Sequence, residues 1–138
     1  MSMVHDNLIT SYCVDFEAET LVMKTFYHDH FDKNIENTDI IFTGYLTHMF
    51  GNETKGSIIF DIEEYPLHLF LERESELLKD NKNYGWPISY KTESELVEFL
   101  QTHNYKIFEV ASSYGLCGWV LAKEMDIVVQ KQPFTPTK

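Results

Sequence analysis

The spacing of apolar residues changes twice along this chain, and those two changes constrain its fold more than any other feature. Tyr12, Val14 and Phe16 alternate with Cys13, Asp15 and Glu17, the period-two pattern of a strand buried on one face. Residues 20–27 resume it with Val22, Met23, Phe26 and Tyr27, after a short break at Ala18 and Glu19. So short a loop makes an antiparallel hairpin the simplest pairing. Residues 39–46, with Ile40, Ile41, Phe42, Tyr45 and Leu46, are rich in strand-forming side chains. Residues 51–56 supply turn chemistry, and 57–62 read as a fourth strand. Ile58, Phe60 and Ile62 are assigned to one of its faces and Ile59 and Asp61 to the other, which places it centrally.

The period then lengthens. Leu67, Phe70, Leu71, Leu77 and Leu78 recur at helical spacing behind Pro66, a residue suited to a helix's first turn. One helix is expected over 66–80, with Glu72, Arg73, Glu76 and Lys79 facing water. Glu63 and Glu64 are expected to complement its positive N-terminus. Thr92 and Glu95 form a capping box ahead of Leu96, Val97 and Leu100, and Asn104 suits the left-handed residue that closes the second helix. Strand-like patterning returns over 105–112, 116–122 and 125–129.

The expectation is an α+β fold: a mainly antiparallel sheet of about six to seven strands, order ββββααββ, with two helices packed on one face. Residues 1–130 form a single domain, and 131–138, which hold two prolines, form a flexible tail. At 138 residues the chain can bury an adequate core without a metal or disulfide. Strands do not alternate singly with helices, which disfavours a doubly wound nucleotide-binding fold.

Charge narrows the function classes. Asp and Glu number 22 against 11 Lys and Arg, a net charge of −11, and Arg73 is the sole arginine. Nucleic-acid binders need clustered cations, and anionic membranes repel such a chain. A basic protein would be attracted instead. The N-terminus shows neither a basic nor an apolar leader region, and no apolar run approaches bilayer length, so a cytoplasmic protein is expected. Cys13 and Cys117, each within a strand-like run, are read as reduced core thiols.

Several clusters could carry chemistry. His28, His30 and Asp32, with Asp29 between them, supply ligand types suited to zinc or another divalent ion. His48 lies in an apolar context, and Asp61, Glu63 and Glu64 form a run of carboxylates. His48 and Asp61 are the pair that an enzyme without a recognisable motif would use. Gly118 is a point where a ligand backbone could approach closely. Tyr84, Trp86, Tyr90, Tyr114 and Trp119 are the aromatic anchors expected of a partner-binding surface. The reading these features favour is a non-enzymatic acidic protein without a cofactor that binds a basic protein, as an immunity-type inhibitor does. Self-association is a further form of protein binding. The alternatives are a metal- or small-ligand module using the His28/His30 loop, and an enzyme.

Overall fold

A computed structural model describes residues 4–28 and 35–132. Its strands are β1 (Leu8–Asp15), β2 (Thr20–His28), β3 (Ile35–Thr43), β4 (Thr47–Gly51), β5 (Ile58–Tyr65), β6 (Lys106–Tyr114), β7 (Cys117–Ala122) and β8 (Glu124–Gln132). Helices α1 (Leu67–Arg73), α2 (Ser75–Asn81) and α3 (Glu93–Thr102) stand between β5 and β6, with a 3-10 turn at Lys82–Tyr84. Every strand pairing is antiparallel, in the order β4-β7-β6-β5-β1-β2-β3-β8. The α+β class and the antiparallel sheet are as the patterning implies. The count is not: among the described residues there are eight strands rather than six or seven, and three helices rather than two.

The extra strand arises from a bend. Residues 39–46 read as one strand, but β3 ends at Thr43 and the chain turns at Gly44, whose φ of 62° suits glycine. It then continues as β4. β7 and β8 bend likewise at Lys123, and the ladder crosses the corner through Leu46 N–H to the Leu121 carbonyl and Lys123 N–H to the Thr43 carbonyl, both 2.9 Å. The two bent strands therefore run from one half of the sheet into the other.

The expected long helix is likewise kinked at Glu74 (φ −101°, ψ 20°). Residues 72–76 offer the sheet no apolar side chain, and Arg73 is drawn to β6. Pro66 caps α1 rather than opening it. Thr92 does cap α3, accepting from the Glu95 amide at 3.3 Å, and Asn104 has φ 62°.

Two apolar cores result. One lies between the sheet halves, filled by Leu21, Met23, Ile40 and Phe42 from β2 and β3 and by Phe108, Val110, Val120 and Ala122 from β6 and β7. The other lies between the helices and the far face of β6 and β7, joining Phe70, Leu71, Leu78, Leu96 and Leu100 to Ile107, Trp119 and Leu121. β6 and β7 are thus covered on both faces, which explains the continuous apolar run 119–122. The layers are helices, half-sheet, half-sheet.

β5 departs from its expected facing. Its register with β6 shifts around Phe60, a bulge that reverses the alternation. Ile59 and Ile62 both enter the first core, while Phe60 stays 55% exposed. Cys13 also departs: Tyr12 and Val14 point to the core, leaving its thiol exposed. Both cysteines are free.

Candidate functional site

The bulge in β5 places Asp61, Glu63 and Tyr65 on the helix side of the sheet. In the ladder to β6, Asp61 faces Ala111 and Glu63 faces Glu109. Like charges directly opposite on one face repel, and the structure meets that repulsion in two ways. Arg73, at the end of α1, places Nη1 3.0 and 2.9 Å from the two Glu109 carboxylate oxygens. Its guanidinium carbon lies 4.6 Å from the Tyr65 ring centroid, and Nε is 3.4 Å from Glu74. Two residues along the same strand, Asp61 raises the pKa of Glu63, first by hydrogen bonding between the carboxyl groups and then by its charge. Asp61 also accepts from the Ile62 amide at 2.9 Å.

Phe60, Asp61, Glu63, Glu64, Tyr65, Glu109 and Ala111 line an open cleft of about 240 Å³ at this place. It combines carboxylates with aromatic faces, groups that attract cations. Arg73 demonstrates the fit from within the chain. Glu63 and Glu64, expected to complement the helix N-terminus, lie in β5 just ahead of Pro66, and α1 has no acidic residue in its first turn.

His48 and Asp61 do not form a pair. Asp61 lies on the helix side of β5, whereas His48 faces Val120 in the β4–β7 ladder, on the side of the first core. His48 Nδ1 is 2.7 Å from the Tyr45 hydroxyl, and its ring lies 4.7 Å from Phe50 and 5.6 Å from Tyr12. Burial pushes its pKa down, opposed in part by the Glu53 charge. The Tyr12 hydroxyl donates to the Glu53 carboxylate. These rings fill the space between β1 and β4 by packing on one another.

The aromatic anchors separate. Trp119 is 3% exposed and packs edge-on to Phe70 at 4.8 Å; it is a core residue and cannot present a surface to a partner. Trp86 donates Nε1 to Thr47 Oγ1 at 3.0 Å, the Tyr90 hydroxyl donates to the Leu78 carbonyl at 3.5 Å, and Lys82 Nζ lies 5.5 Å over the Tyr90 ring centroid. Both pack against the helix-side core. Tyr84 and Tyr114 alone are open, at 83% and 58% exposure, on the turn after α2 and at the end of β6.

The metal set falls largely outside the described residues: His30 and Asp32 lie beyond them, and of His28 only the backbone is described. Among the described residues no group of three or more His, Cys, Asp or Glu side chains is placed to hold a metal ion. The close approach at Gly118 is made by the protein itself, since a Cβ there would fall on the Met49 carbonyl of β4. No helix among the described residues is long and apolar enough to cross a membrane.

Sequence reasoning missed Glu109, Tyr65 and the role of Arg73. The signal lay in register, which alternation alone does not reveal; the one cue was a lone arginine on a helix followed by strands. Comparison with protein-family models, curated proteins and solved structures finds no match.

Proposed function

We propose that this chain is a non-enzymatic interaction protein whose acidic, aromatic cleft on β5 and β6 receives a cationic side chain of a basic partner protein. The observation that carries the reading is the seat of Arg73, where a guanidinium lies between a bidentate carboxylate and a tyrosine face. Beside it Asp61 and Glu63 hold two carboxyl groups close together, and the Asp61 neighbour raises the Glu63 pKa, a repulsion an incoming cation would relieve. The net charge of −11 steers a basic partner toward such a surface. An immunity-type inhibitor of a basic protein is one instance of this class.

The test is isothermal titration with an arginine-rich peptide. Asp61→Asn with Glu63→Gln weakens binding by about tenfold or more, the usual order for losing a charge-assisted contact. Affinity for the unmodified protein rises with pH as the raised Glu63 group loses its proton. Equal affinity for the double variant and the unmodified protein, or no heat of binding, refutes the assignment.

A further inference from the structure

We propose that β8 is a self-association strand, pairing antiparallel with β8 of a second copy. The two sheet edges differ. β4 has five residues, and Tyr12 packs on its His48 and Phe50. β8 has nine, and it runs against β3 without a register shift from Glu124 to Gln132. Among the described residues no strand pairs with its other side. It carries no proline and no bulge, two of the devices by which edge strands refuse partners, and its charged residues leave the central Ile127, Val128 and Val129 clear. Free backbone donors and acceptors along such an edge are a template for strand addition.

The sequence of β8 selects the second copy and the register. A two-fold axis at Val128 sets Glu124 against Gln132, Asp126 against Gln130 and Ile127 against Val129. All nine residues pair, and no carboxylate opposes another. An axis at Asp126 sets the two Asp126 residues face to face, which is unfavourable, and an axis at Ile127 shortens the ladder. On the core side, half-buried Met125, Ile127 and Val129 extend the apolar layer toward the partner. On the outer side Val128, 41% exposed, meets its own copy. The contact is isologous, so it closes at two chains. It lies on the opposite half-sheet from the cleft on β5 and β6 and stands or falls separately from it.

Sedimentation equilibrium of the full chain tests the proposal. The unmodified protein shows a concentration-dependent doubling of mass. Val128→Glu and Val128→Lys, each placing like charges at the axis, are monomeric alone, and an equimolar mixture regains the dimer. Hydrogen exchange on the unmodified protein gives a readout that needs no variant: amides of β8 gain protection as concentration rises. A monomer at every soluble concentration, a dimer retained by both single variants, or β8 exchange independent of concentration overturns the assignment.

Discussion

Tyr12 shows how one hydroxyl sets a pH limit. It donates to the Glu53 carboxylate, so ionising the phenol would bring two negative charges together. That hydrogen bond first, and burial second, push its pKa from 10.0 up to about 12. Because the folded value is the higher one, the stabilisation is complete below pH 10 and is lost as pH rises through about 12. Burial also raises Tyr45, Tyr90 and Tyr105, so an alkaline absorbance titration is expected to show several late-ionising tyrosines, one fewer in Tyr12→Phe. The same substitution costs about 1 kcal/mol or less at neutral pH, since Glu53 is exposed and recovers water. A titration unchanged by the substitution would refute the assignment. His48 acts in the opposite direction: burial lowers its folded pKa below 6.5, so its contribution is present above that value and declines as pH falls.

Among the elements, the hairpin of β6 and β7 is constrained by a close backbone approach. Gly118 has φ 150°, and its missing side chain leaves room for the Met49 carbonyl. Gly118→Ala is expected to cost about 2–4 kcal/mol, since the clash is with backbone that pairs in the sheet. Gly51→Ala, where nothing lies within 4 Å of the added carbon, stays within about 1 kcal/mol of the unmodified protein. Urea unfolding of the two variants checks the contrast, and equal losses would contradict it. The helix cap at Thr92, the β1–β2 hairpin and the class of the fold were readable from spacing because each depends on neighbours in sequence. The bends at Gly44 and Lys123, the bulge at Phe60 and the facing of Glu63 with Glu109 depend on which strand lies alongside. Alternation does not encode that. Trp119 illustrates the same limit: an aromatic in a strand reads alike whether helices or solvent cover its face.

For the molecule as a whole, charge and packing pull against each other. A net charge of −11 on one domain repels itself, and Arg73 relieves it at one point only. Added salt screens that repulsion, so thermal melts are expected to shift upward by a few degrees between low and physiological ionic strength. A downward shift would show that the ion pairs of Arg73 and Lys24 outweigh the repulsion. The bent ribbon at the corner of the sheet bears on how the protein comes to be folded during synthesis. β3 and β4 emerge early, yet their partners β8 and β7 lie near the other end of the sequence. The core between the half-sheets therefore cannot close until those late strands have left the ribosome. Until then β2 and β3 hold Leu21, Met23, Ile40 and Phe42 open to whatever binds nascent chains, and chaperone capture is strongest on chains arrested before β8 is complete at residue 132.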